Sequence, residues 1–441
     1  MHIGIGLIAS VFRASMQLYF LIALGYFLYQ IVTKPNKQQQ VLIAAAYITA
    51  AEVYLRMTKA LFFYESGKYL VIAFITIGMF YQGYKRNAFP YIIYFLLLIP
   101  GVFVSYLNLN FDSEFRKMIL FNLSGPICLA FAAIYCHGRT ITLKNLLQLL
   151  DYMVYPLISM TVYIYLYNPD IAEVIISTVS TSETTGGYGP NQVATMLGFG
   201  TFILFVRLLI PYQNKIVHFT MMFFLVAMAY RALITFSRGG VVAAIIMCIA
   251  FSFILYFSTS LKTKFKLSYK LIAVVGAVFA IWLYALLQTG GLIENRYTNK
   301  DALGRDKEDV STGRIQLIEA DFQAFMEDPI FGIGVGKVKS FYIERLNIEL
   351  PSHNEVARML SEHGSLGIIA LLILFFTPLS SKFQGRKNIF FYPFILFWLI
   401  TILHSSMRIA APAFVYGLAL LNIQYVSRKK DSLYRKPAIQ E

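Results

Sequence analysis

Charge is scarce in this 441-residue chain. Only 14% of residues are Asp, Glu, Lys or Arg, against about 25% in an ordinary soluble domain, while 58% are hydrophobic. A mean hydropathy of +0.62 excludes a soluble globular enzyme. Cysteine is scarce too. Cys128, Cys136 and Cys248 all fall in apolar segments, with neither metal-ligand spacing nor an obvious disulfide partner, and read as small core residues. The chain has no Gly-x-Ser-x-Gly elbow and no Cys/His/carboxylate cluster at metal spacing. It also lacks an internal repeat, a low-complexity tract and a small-residue cleavage site after its first apolar run.

Apolar runs of about twenty residues recur instead from end to end, the mark of a polytopic helical membrane protein. Spans are expected near 12–32, 41–56, 69–84, 91–107, 118–136, 146–167, 189–211, 217–236, 239–258, 271–289, 365–380, 389–404 and 408–426. The expected fold is all-α, with about 12–13 transmembrane helices. A transmembrane bundle (1–289) precedes one large, partly helical periplasmic loop (290–364), and C-terminal spans with a basic tail follow (365–441).

The net charge of +15 need not imply nucleic acid, because the surplus sits in short loops, as positive-inside orientation requires. Lys262, Lys264, Lys266 and Lys270 mark one cytoplasmic loop, Lys382, Arg386 and Lys387 another. The tail with Arg428, Lys429, Lys430, Arg435 and Lys436 is a third. The loop 168–187 carries Asp170, Glu173 and Glu183 but no Lys or Arg, and is expected outside. Alternation then puts 290–363 outside as well, with the span ends near Glu52, Asn191 and Arg238. A polar interval of that length in a membrane protein points to function.

Charged side chains within spans are functional candidates by default. Arg231 and Arg238 lie seven residues apart, hence nearly on one helical face. Arg238 sits in Ser237-Arg238-Gly239-Gly240, whose glycines would leave room for a bulky head group; a snorkelling interfacial arginine is the plain alternative. Glu52 and Arg56, four apart, can pair across one turn and stabilise the bundle. In the loop, Ser311 or Thr312 would cap a helix ending at Pro329, with Arg314 in its first turn. A cation is unfavourable there unless an anion arrives to meet both guanidinium and free N–H groups. A solvated surface arginine is the alternative.

Gly332, Gly334 and Gly336 suit a tight turn that folds the loop back on the membrane; they follow no strand, so a dinucleotide site is not indicated. Ser352 and Glu355 fit the ends of a capping box, which places His353 at the first helical position. Positive potential there would lower the imidazole pKa from about 6.5 and keep it neutral, as a general base must be. A capping-region histidine without a role is the competing reading. Asn354 could orient a substrate or the ring. His363 falls on another side of the same helix, so the two histidines are not a ligand pair.

These features together resemble the O-antigen ligase and O-antigen polymerase superfamily. The resemblance rests on Ser237-Arg238-Gly239-Gly240, Ser311-Thr312-Gly313-Arg314, Asp328-Pro329-Ile330-Phe331-Gly332-Ile333-Gly334, His353-Asn354 and Glu362-His363-Gly364-Ser365-Leu366-Gly367, with Pro190-Asn191 at the start of a span. It covers about 190–380. It implies a transferase in the bacterial inner membrane, with its site facing the periplasm. The donor would be a glycan on undecaprenyl diphosphate; the acceptor would be a glycan, lipid A-core or a protein. It further implies that Arg238 and Arg314, with Arg231 as a third candidate, hold the diphosphate and that His353 activates the acceptor. Asn354, Glu355 and Asn191 would orient substrate. Glu355 departs from the apolar or aromatic residue of many relatives. A metal-independent, inverting transfer without cofactor is expected. Partners are the lipid-linked glycan, its acceptor and membrane lipids, not nucleic acid.

The main alternative is a transporter or flippase of lipid-linked glycans. It calls for inverted repeats and helices broken at mid-membrane. A polyprenyl-phosphate sugar transferase calls for an acidic pair in the first outer loop, where 57–68 offers Glu65 alone.

Overall fold

Lipid offers the backbone no hydrogen-bond partner, so apolar runs become helices that satisfy themselves. The computed structural model describes residues 1–108, 115–168, 170–307 and 313–425. Among these, nine helices are long and apolar enough to cross a membrane, making this an all-α polytopic membrane protein. Shorter apolar helices are His2–Val11, Phe391–His404 and Ala410–Ala419. Gln40–Met57 runs through the centre, buried along almost its whole length. Leu261–Gln288 lies at the edge, with Ile272, Val275 and Leu287 exposed as a lipid-facing helix requires.

The helix boundaries differ from the sequence reading in informative places. His2–Val11 precedes the first expected span and packs along Leu143–Tyr167. Its His2 Nδ1 lies 3.0 Å from Ser159 Oγ. The span expected at 91–107 is divided into Phe89–Leu97 and Ile99–Asn108. Pro100 explains the break, since it has no N–H and its ring crowds the preceding turn. The basic stretch Lys262–Lys270, expected as a loop, already belongs to the helix from Leu261. A 28-residue helix outruns the roughly 30 Å hydrocarbon core, so its first turns can carry lysines in the head-group region. Lys270 Nζ donates to the Leu208 carbonyl at 2.8 Å, satisfying the end of a neighbouring helix. The span expected to reach 426 ends at Ala419, and Asn422–Gln424 pairs in parallel with Thr140–Thr142. The basic tail from Arg428 lies outside the described residues.

The interval between Leu261–Gln288 and the C-terminal helices forms a cap. It contains Leu292–Tyr297, Arg314–Glu327 and Val338–Leu346. Leu317, Ala320, Ala324, Ile333, Val338, Phe341 and Tyr342 give it a small core of its own. Its glycine turn is what docks it. Gly332, Gly334 and Gly336 all have positive φ, of 74°, 98° and 87°. A Cβ on Gly332 would lie 2.5 Å from the Glu362 carbonyl carbon, and one on Gly334 would lie 2.8 Å from the Ser105 nitrogen. Only glycine allows that backbone shape and that approach.

The turn meets a break in Glu355–Phe383, where Gly364 leaves helical geometry at φ 58°, ψ −140°. Groups freed by the break find partners on the cap. Ser365 N donates to the Pro329 carbonyl at 2.8 Å, and Ile333 N donates to the Ser361 carbonyl at 2.9 Å. A buried charge network ties the same place down. Arg358 pairs with both Glu355 and Glu362. Glu362 also accepts from Asn122 Nδ2 at 2.6 Å and from Gly336 N at 2.9 Å. Removing one member would leave a buried charge unpaired, which costs several kcal/mol.

Candidate active site

Four segments meet beneath the cap. The first is the turn between Lys215–Ile234 and Arg238–Phe257. Phe236 holds φ 56° there, a shape that non-glycine residues adopt rarely and mostly at functional sites. Ser237 Oγ donates to Asn191 Oδ1 at 2.8 Å, seating this turn on the start of Pro190–Leu209. Arg238 is the first residue of its helix and half-buried.

The second segment is the entry to Arg314–Glu327. Gly313 turns the chain at φ 78°, and Arg314 is again the first helical residue. Ser311 and Thr312, the expected caps, lie outside the described residues. Burial, and then Arg238, push the Arg314 guanidinium below its usual pKa. The two arginines, some 75 positions apart in sequence, are therefore electrostatic neighbours.

The third segment, Pro351–Asn354, corrects the capping reading. The helix begins at Glu355, and Asn354 caps it, its Oδ1 accepting from Val356 N at 2.9 Å and Ala357 N at 3.2 Å. Ser352 is otherwise engaged, its hydroxyl donating to buried Asp321 at 3.2 Å. His353 thus precedes the helix rather than opening it. Its pKa is still pushed down to about 4, first by burial, then by Arg408, Arg314 and His404. Burial first and neighbouring cations after it, not a helix terminus, keep this imidazole neutral. Glu355 is buried and paired with Arg358, and Met407 N also reaches it at 3.4 Å. His363 is buried between the glycine turn of the cap and Gly101, and neither ring nitrogen has a partner among the described residues.

The fourth segment, Ser405–Ile409, was not anticipated as part of the site. Arg408 donates through Nη2 to the Ser352 carbonyl at 2.5 Å and lies over the Phe121 ring at 4.6 Å. His404 packs against Gly239, where a Cβ would come within 2.4 Å of the ring. A Cβ on Gly240 would lie 2.4 Å from the Ala194 carbonyl carbon. The two glycines therefore make room for a side chain and a neighbouring helix, not for a ligand head group.

Arg231 does not join this cluster. It lies on the preceding helix, so the seven-residue spacing to Arg238 crosses a turn and sets no common face. Its guanidinium lies over Tyr165 at 4.1 Å and donates to the Asn168 carbonyl at 2.9 Å. Glu52 and Arg56 do pair, at 2.5 Å, and Glu52 also accepts from Ala410 N at 2.6 Å. Arg408 stood at the start of an expected span, where the rule that flags charges in spans applied to it equally. Asp321 left no mark beyond its place among the polar residues of an amphipathic helix.

The assembled groups are Arg238, Arg314, His353, His404 and Arg408. Among the described residues no carboxylate pairs with Arg238, Arg314 or Arg408. Such a cluster suits an anion, with a neutral imidazole alongside. Among the described residues, no group of three or more His, Cys, Asp or Glu is placed to hold a metal ion.

The family model described as O-antigen ligase matches residues 223–372. That interval contains Arg231, Arg238, Arg314, His353, Asn354 and Glu355; Asn191 and Arg408 lie outside it. No curated protein matches the chain.

Proposed function

Because residues 223–372 match the family model described as O-antigen ligase, we propose that this protein is a membrane glycosyltransferase of ligase or polymerase type. It moves a glycan from undecaprenyl diphosphate to an acceptor hydroxyl at the periplasmic face of the bacterial inner membrane. The acceptor is lipid A-core, a second glycan or a protein. The observation that carries this reading is that cations gather about His353 beneath one cap: Arg408 bonds the Ser352 carbonyl beside it, Arg314 bears on it, and Arg238 bears on Arg314.

Each arginine stands at the first position of a helix, so the positive end of the helix and the guanidinium favour the same anion. His353 takes the proton of the acceptor hydroxyl as its oxygen attacks the anomeric carbon. The bond from that carbon to the diphosphate oxygen breaks, and the diphosphate leaves with the electron pair. The guanidiniums neutralise the charge that develops on it. Direct displacement inverts the anomeric centre, and no metal is invoked. Before donor binds, burial and the surrounding cations make His353 a weak base. The diphosphate offsets their field, so base strength rises once the donor is in place.

Purified protein in lipid nanodiscs, given an undecaprenyl-diphosphate glycan and candidate acceptors, should release undecaprenyl diphosphate as glycan appears on the acceptor. His353→Ala should abolish turnover yet still bind donor, and His353→Gln should be nearly as defective. Full activity in folded His353→Ala would sink the assignment of the base.

A further inference from the structure

Arg296 lies at the end of the short helix Leu292–Tyr297, where the chain leaves the bundle to enter the cap. Its Nε donates to the Phe236 carbonyl at 2.9 Å, and Nη2 reaches Ser180 Oγ at 3.4 Å. One side chain thus joins the cap entry, the loop before Pro190–Leu209 and the strained turn that presents Arg238. It is half-buried, and burial, then Arg238 and Arg314, push its guanidinium below the usual pKa. Among the described residues no carboxylate pairs with these three cations, and placing them together costs Coulomb energy that an arriving anion would recover. The Tyr297 hydroxyl is buried without a partner among the described residues, and Arg238 and Arg296 act on it. An orphan hydroxyl beside clustered guanidiniums calls for a ligand rich in acceptor oxygens.

We propose that Arg296 is the third guanidinium of the diphosphate site, the place that Arg231 does not fill, and that Tyr297 donates a hydrogen bond to the same group. The inference rests on the reading of the protein as a diphosphate-lipid transferase. Arg238, Arg296 and Arg314 come from three different segments, so they can surround two phosphates rather than line one side of them. A monophosphate offers fewer oxygens and less charge, so the third arginine serves to select diphosphate over monophosphate lipid. It also couples recognition to shape, because the hydrogen bond to Phe236 holds the turn that carries Arg238.

The test is binding by the full chain in nanodiscs, with undecaprenyl diphosphate and undecaprenyl monophosphate as probes. Wild type should prefer the diphosphate. Arg296→Ala should weaken diphosphate binding by roughly tenfold or more, as loss of a charge-assisted hydrogen bond does. Monophosphate binding should change far less, so the preference narrows. Arg296→Lys can still reach the Phe236 carbonyl but lacks the fork; it should keep the wild-type melting temperature and still lose part of the preference. Tyr297→Phe should weaken diphosphate binding severalfold without altering the fold. If wild type binds neither lipid, the reading of function itself fails. If wild type prefers the diphosphate but Arg296→Ala and Arg296→Lys retain that preference, this inference alone is overturned. An equal loss of both lipids with a lowered melting temperature would also overturn it, by reducing Arg296 to a structural clasp.

Discussion

At His353 burial, and then the field of neighbouring cations, lower proton affinity, and the sign is testable. A pKa lowered to about 4 leaves the imidazole neutral at all higher pH in the free enzyme. The acid limb of kcat/KM, which reports the free enzyme, should therefore fall near pH 4 and be flat above it. Bound diphosphate adds negative charge and raises the imidazole pKa, so the acid limb of kcat should lie at higher pH. Coincident limbs would mean that the anion does not reach the field of His353. Arg238→Lys and Arg314→Lys keep the charge but not the bidentate fork. Each should cut kcat/KM by tenfold or more, and near-wild-type rates in either would remove it from the diphosphate site. Asp321 acts one step further away. Its buried carboxyl, raised to about 6 by burial, accepts from Ser352 Oγ at 3.2 Å and Ser361 Oγ at 2.9 Å. It thereby ties the helix bearing Arg314 to the residue before His353. Asp321→Ala removes both bonds and leaves each hydroxyl only a local backbone acceptor, at about 0.5–1.5 kcal/mol per bond, and should lower kcat more than it raises donor KM. Asp321→Asn, which can still accept one of the two bonds, should recover part of kcat.

Among the elements, Glu355–Phe383 shows how a membrane helix can be interrupted without leaving backbone groups bare. The break at Gly364 is closed by the cap turn, and a Cβ there would lie 2.7 Å from the Gly332 nitrogen and the Ile330 carbonyl. Gly364→Ala meets both that contact and a backbone shape closed to alanine, at about 1–3 kcal/mol for the strain alone. The expected result is a lowered melting temperature in detergent, with faster proteolysis between Pro329 and Ser352. An unchanged melt and cleavage pattern would show that the cap does not depend on this contact. The capping of this helix also shows where sequence reading stops. Ser352, Asn354 and Glu355 are all competent terminal residues. Which one caps was decided by Asp321 and Arg358, which claim Ser352 and Glu355 and leave Asn354 to the backbone.

For the whole molecule, orientation is the first thing to measure. On a background lacking Cys128, Cys136 and Cys248, a cysteine at exposed Asn347 in the cap should react with an impermeant thiol reagent in intact cells. One at exposed Ser260, at the opposite end of the helix that leads to the cap, should be protected. Labelling of Ser260 but not Asn347 would invert the orientation and remove the periplasmic site. Most of the architecture was legible because its cause is local. Apolar runs in lipid have no structure open to them but helix, and a polar interval flanked by them must lie at an end of the bundle. Arg314 at a helix start, the glycine turn and the Glu52–Arg56 pair were legible for the same reason, since each depends on residues within a few positions. Arg231 shows the limit: a spacing of seven has meaning only if the helix continues, and this one ends at Ile234, before the turn through Phe236. Arg296, Arg408 and Asp321 were invisible because their partners are distant in the chain: Phe236, Ser352 and Ser361. The sequence by itself determined a helical membrane protein with a polar cap and the residue types that could handle an anion. Only the tertiary structure decided which cations face one another, because a site is set by distances in space, and neither composition nor period carries those.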